Sequence, residues 1–87
     1  MNYTKGKWEA ILWNNKLGFD ISSSEGFIAE VPKDVPQQHT MRECQANAQL
    51  IAAAPIGYEL AEAVLHNMPK AELRRIANKF MIEAEPD

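Results

Sequence analysis

Thr40-Met41-Arg42-Glu43-Cys44-Gln45-Ala46-Asn47-Ala48-Gln49-Leu50-Ile51-Ala52-Ala53-Ala54-Pro55 is the stretch around which the chain is organised. Thr40 and Glu43 have the T-x-x-E spacing of a capping box. The Thr40 hydroxyl can accept from the Glu43 N–H while the Glu43 carboxylate reaches back to the Thr40 N–H. That spacing predicts a helix from about Met41. Good helix formers follow, with neither Gly nor Pro before Pro55. At 100° per residue, Cys44, Asn47, Leu50, Ile51 and Ala54 share one face, expected to point inward, with Arg42, Gln45 and Gln49 opposite. Asn47 then sits at the centre of an apolar stripe. A buried amide left unpaired costs about 1–3 kcal/mol, so Asn47 is expected to be a hydrogen-bonded structural residue. The alternative is an amide placed to hold a ligand.

Downstream, Pro55 suits the first turn of a second helix. Leu60, Ala61, Val64 and Leu65 recur in it at helical spacing. Asn67-Met68-Pro69 breaks the pattern, and a third helix is expected from Pro69 to about Ala84, with Leu73, Ile76, Ala77, Phe80 and Ala84 on one face. Upstream, the period changes to two. Trp8, Ala10 and Leu12 alternate with Glu9, Ile11 and Trp13, which reads as a strand. After the turn Asn14-Asn15-Lys16, Leu17, Phe19 and Ile21 alternate with Gly18, Asp20 and Ser22. After Ser23-Ser24-Glu25-Gly26, Phe27, Ala29 and Val31 form a third strand that ends at Pro32. Such short connections favour an antiparallel meander. Pro32 to His39, with two prolines and no periodicity, is expected to be an extended loop. The expected fold is therefore α+β, a β-β-β-α-α-α domain of two layers. It fills residues 1–87, with 1–6 and 85–87 frayed. The first helix, and part of the second or third, is expected to cover one face of the sheet.

Ala46-Asn47-Ala48-Gln49-Leu50-Ile51-Ala52-Ala53-Ala54-Pro55 resembles the A-N-A-x-L-I-A-A-A-P segment of small tailed-phage and prophage proteins. Tyr3-Thr4-Lys5-Gly6-Lys7-Trp8 is similar to their Y/H-T-P-G-P-W opening, with Lys5 and Lys7 where that opening has prolines. Ile56-Gly57-Tyr58 replaces their acidic, Leu-rich continuation. The resemblance implies a phage or prophage origin and expression in the bacterial cytoplasm. It also implies a packing role for Trp8, and it carries no catalytic residue.

Composition bounds the function. The chain has 87 residues, enough for one thin core. A hydrophobic share of 46% and a charged share of 24% are those of an ordinary globular domain. The single cysteine, Cys44, is expected to be a buried, inert thiol, and two scattered histidines do not make a metal set. No cofactor is expected. A net charge of −3 disfavours a nucleic-acid partner. The longest apolar run is too short to span a bilayer, so a membrane partner is not expected either.

Nothing in the spacing supports an enzyme. Ser22-Ser23-Ser24 with His39 lacks the nucleophile-elbow context, and the glycines do not form a phosphate loop. Arg74 and Arg75 are the candidate anion or nucleotide contacts, since guanidinium groups grip phosphates bidentately. Trp13, Met81 and Ile82 fall outside the main apolar faces and are the candidate partner surface. The expectation is a non-enzymatic accessory protein that binds a host protein and blunts a host defence, or that pairs with itself as a homodimer. The alternatives are a nucleotide-binding or sequestering protein and a structural or assembly component.

Overall fold

The computed structural model describes residues 2–33 and 40–85. Three strands, β1 (Glu9–Leu12), β2 (Gly18–Ser23) and β3 (Gly26–Pro32), precede three helices, α1 (Met41–Ala52), α2 (Ala54–Leu65) and α3 (Lys70–Ala84). The strands form one antiparallel sheet in the order β1-β2-β3. This is the α+β meander-then-helices layout that the change of period indicates. Of the loop expected from Pro32 to His39, Pro32 is the last residue of β3 and residues 34–39 lie outside the described residues.

Each turn has its chemistry. In the β1–β2 turn the left-handed residue is Lys16 (φ 61°), and Asn15 accepts from the Leu17 N–H at 3.0 Å. In the β2–β3 turn Gly26 takes φ 135° and Ser23 Oγ accepts from the Glu25 N–H at 3.0 Å. Gly18 is required by close approach. A Cβ there would come within 2.9 Å of the Pro32 Cα, the Val31 carbonyl oxygen and the Trp13 ring.

The helix start at Met41 is capped as expected. Thr40 Oγ1 accepts from the Glu43 N–H at 3.1 Å, and Glu43 Oε1 accepts from the Thr40 N–H at 3.2 Å. The inward face of α1, however, is not the one expected. Cys44, Ala48 and Ala52 are buried against Phe19 and Ile21 of β2, whereas Asn47, Leu50, Ile51 and Ala54 are exposed. Asn47 is therefore no buried structural amide. The helix has two apolar stripes, and the one made of small side chains faces the sheet because it lets the backbones approach closely.

Two strand expectations also change. A register shift pairs Ile21 with Ala29 but Ser22 with Phe27, so Ile28 is an extra residue in β3. Ile28 and Ala29 both pack on the core, and Phe27 is turned outward, 61% exposed. Leu17 belongs to the turn and is exposed, leaving Phe19 and Ile21 as the inward pair.

Among the described residues, α1 alone lies on the sheet. α2 and α3 pack on each other and on α1, without contacting any strand. The cause is the break at Ala53, where α2 leaves α1 at 44° with Pro55 in its first turn. The described residues measure 44 × 24 × 19 Å. The inward stripe of α3 follows the sequence pattern, with Ile76 buried and Leu73, Ala77, Phe80 and Ala84 half-buried. Among the described residues, no single helix is long and apolar enough to cross a membrane.

Cys44 donates its thiol hydrogen to the Val31 carbonyl at 3.3 Å. Burial pushes its pKa above the ordinary thiol range, opposed weakly by Lys33. A raised folded pKa means that the thiolate is disfavoured in the native state. The contribution is fully present below the unfolded thiol value of about 8.5 and is lost as pH rises towards the folded one. Urea midpoints measured at pH 7 and pH 10 should therefore fall further for the natural protein than for Cys44→Ala. Equal falls would show that the thiol is not linked to folding.

Candidate functional site

The two stretches that stand out in the sequence meet in space. Residues 3–8 cross the α1–α2 junction as a strap. Gly6 turns it at φ 90°, where a Cβ would lie 2.9 Å from the Ser24 hydroxyl. The Trp8 indole N–H donates to the Thr4 carbonyl at 2.9 Å, closing the strap on itself. Tyr3 then stands edge-on to two rings, Trp8 at 6.2 Å and Tyr58 of α2 at 5.6 Å. Tyr3 and Lys5 belong to the segment read from sequence as frayed.

A cleft of about 290 Å³ opens beside the strap. Tyr3, Trp8, Pro55 and Ile56 give its apolar wall, and Lys5, Lys7, Lys79, Glu59 and Glu83 bring charge to it. The Lys5 ammonium lies 4.2 Å from the centre of the Tyr3 ring, a cation–π contact. Lys7 pairs with Glu83 at 3.5 Å, joining the strap to the end of α3. Three lysines against two glutamates leave the mouth with one net positive charge. The arrangement can take a ring against the aromatic wall and an anion near the lysines.

Trp13 is half-buried on the outer face of the sheet, with its indole N–H donating to Asp20 at 2.7 Å and its ring against Gly18. Met81 and Ile82 are exposed on α3, Ile82 at 75%. α3 packs on no strand, so this pair is carried by a different part of the fold from the sheet that holds Asp20 and Gly18 around Trp13. Arg74 is exposed on the outer side of α3. Arg75 is engaged by Glu72, to which its Nε–H donates at 3.0 Å together with a second guanidinium N–H. The hydrogen bond from Arg75 holds the Glu72 carboxyl below the usual carboxylate range, and the same bond raises Arg75. The two arginines are not part of the cleft. Its cations are Lys5, Lys7 and Lys79, of which Lys79 belongs to the densest basic group of the sequence (Lys70, Arg74, Arg75 and Lys79) and Lys5 and Lys7 do not. The signal that could have found them is the pairing of the opening motif with the segment ending at Pro55.

Ser23 serves the β2–β3 turn, and His39 lies outside the described residues. Among the described residues, no three His, Cys, Asp or Glu side chains stand together as a metal site.

The architecture is a small α+β domain whose opening strap closes on a helix junction. The chain belongs to the family described as Salmonella phage P22 protein Y8K6, matched over residues 1–87, and is thus a small phage-type protein. No curated protein and no solved structure matches it.

Tyr3→Ala should release the strap. Two edge-on ring contacts are lost, worth about 0.5–1.5 kcal/mol each beyond burial. A lower melting temperature and a red shift of tryptophan emission, as Trp8 becomes wet, are expected. Unchanged emission would mean that Tyr3 does not hold the strap.

Proposed function

We infer that this protein is a non-catalytic phage accessory protein that binds a host protein in the bacterial cytoplasm and blocks its action, a host-defence component being the target in view. Membership of a phage protein family supports a phage-encoded accessory role. The observation that carries the reading is the outer face of the sheet. Among the described residues helices cover one side only, and the other side carries Ile11, Trp13 and Phe27 around Asp20 and Ser22. Exposed aromatic and aliphatic groups among polar ones are what protein interfaces use at their centres. Trp13, fixed by Asp20 and Gly18, is a rigid ring of the kind that anchors binding.

A second reading has its own observation, the cleft. An anionic ligand with an aromatic ring, such as a nucleotide, fits a wall of Tyr3 and Trp8 with Lys5 and Lys79 at its mouth.

Tagged protein, mixed with host lysate, should retain a host protein at one-to-one stoichiometry, and Ile11→Ser/Phe27→Ser should lose it while keeping its circular dichroism spectrum. Retention by the double variant, or no stoichiometric host protein, would remove the first reading. For the second, nucleoside triphosphates should raise the melting temperature of the natural protein and leave Lys79→Ala unmoved. The absence of any shift would exclude it.

A further inference from the structure

Next to the cleft lies a second hollow whose chemistry differs. Tyr3, Trp8, Ala54, Pro55 and Tyr58 line about 280 Å³ of it. Tyr3, Trp8 and Pro55 line the cleft as well, so the two adjoin along these residues. Three rings stand there at steep angles. Tyr3 is at 86° to Trp8 and at 73° to Tyr58, with centres 6.2 and 5.6 Å away. All three are half-buried, so part of each stays open. Trp8 is held by its bond to the Thr4 carbonyl, and Tyr58 by its place in α2. The hollow is thus walled by fixed, flat apolar ribs beside a proline.

Its polar groups are one-sided. The side chains that line it include no carboxylate and no amide. The Trp8 N–H already donates to Thr4. The Tyr3 and Tyr58 hydroxyls have no hydrogen-bond partner among the described residues, so both are free to donate to an incoming acceptor. An ordinary extended peptide brings N–H groups that need acceptors as well as carbonyls that need donors. A run of prolines brings carbonyls and no N–H. It also holds its left-handed extended helix before it binds, and aromatic-lined grooves are how such segments are recognised. With three residues per turn and about 3.1 Å of rise, every third residue falls on the same side, about 9 Å from the last. One such residue packs among the rings, and the next lies along the groove.

Charge selects the flank. The adjoining cleft sets Lys5, Lys7 and Lys79 against Glu59 and Glu83. Glu83 is paired with Lys7, whereas Lys79 makes no ion pair among the described residues. A segment that runs from the hollow into the cleft is best matched there by an acidic residue.

We propose that this hollow binds a proline-rich segment of another protein, in the polyproline II conformation and flanked by an acidic residue. Its prolines pack on Tyr3, Trp8 and Tyr58, the two tyrosine hydroxyls donate to its carbonyls, and the flanking carboxylate meets the lysines of the cleft. None of Ile11, Trp13 and Phe27 lines the hollow, so the proposal stands apart from the outer face of the sheet.

The test is calorimetric titration of the full chain with a synthetic peptide of six prolines and a glutamate at each end. Saturable one-to-one binding is expected. Alanines in place of the prolines should weaken it at least tenfold, and lysines in place of the glutamates should weaken it several-fold. Tyr58 lines the hollow and not the cleft, so Tyr58→Ala should abolish binding. Tyr58→Phe keeps the ring and removes the donor, and should weaken binding about threefold to tenfold with an unchanged melting temperature. The proposal is overturned by the absence of saturable heat, by equal affinity for the alanine peptide, by tighter binding of the lysine-flanked one, or by unchanged affinity in the Tyr58 variants. A mass of twice 9.8 kDa in sedimentation that Tyr58→Ala returns to one chain would give the hollow to a second copy, and overturns it too. Ile11→Ser/Phe27→Ser should bind the proline peptide as the natural protein does, so failure of the host-protein reading is separate from failure of this one.

Discussion

The close approach of α1 to β2 is the contact on which the rest of the structure depends. Phe19 and Ile21 meet Cys44, Ala48 and Ala52 and make the buried cluster, with Trp8, Ala10, Ile28, Ala29, Val31 and Met41 around it. Among the described residues α1 is the one helix on the sheet, so there this contact joins the helical half to the strands through packed elements. Small side chains on α1 make it tight, and Ile21 and Ala48 are fully buried. A larger residue at Ala48 would push the helix off the sheet, and overpacking of that kind costs about 1–3 kcal/mol. Alanines also contribute little apolar area of their own, so most of the burial must come from β2 and the ring of half-buried side chains.

The break at Ala53 decides where everything else goes. Pro55 has no N–H to donate, and within a continuous helix its ring would press on the carbonyl four residues earlier. The chain ends α1 with the Ala53 N–H on the Gln49 and Leu50 carbonyls and restarts at 44°. α2 and α3 are thereby carried off the sheet. Gly57 allows the pair to close, since a Cβ there would lie 3.0 Å from the Phe80 ring. The same turn leaves Leu50, Ile51, Val64 and Leu65 outside any core. This part of the exposed apolar surface is thus a consequence of one proline and a row of alanines.

Much of this was legible in the sequence, and the misses share a cause. The strand and helix types, the capping box and the inward stripe of α3 follow from local periodicity and hydrogen-bond chemistry, which neighbours in sequence determine. The face of α1 does not. Its two apolar stripes are equally good by period, and the choice between Leu50–Ile51 and Ala48–Ala52 is made by the distance to the sheet. The outward turn of Phe27 depends on the extra residue Ile28, a register feature that no single strand reveals. The cleft was hidden for the same reason. Lys5 and Lys7 come from the strap and Lys79 from α3, more than seventy residues away in the chain, while Arg74 and Arg75 of the same basic group stand outside the cleft.

Lys5 and Lys7 flank Gly6 in the strap, and their ammonium groups go to different places. One lays its cation on Tyr3, and the other reaches Glu83. The Lys7–Glu83 pair is open to solvent at 3.5 Å, and exposed pairs of this kind are worth about 0–1 kcal/mol. The hold of the strap therefore lies in its rings and in the Trp8 bond to Thr4, not in its charges. Proline would stiffen the strap by removing freedom from the unfolded chain. Lysine gives up that stiffness and leaves cations at the mouth of a cleft. Gly6 is fixed by geometry, because its positive φ and the nearby Ser24 hydroxyl leave no room for a side chain whichever residues flank it.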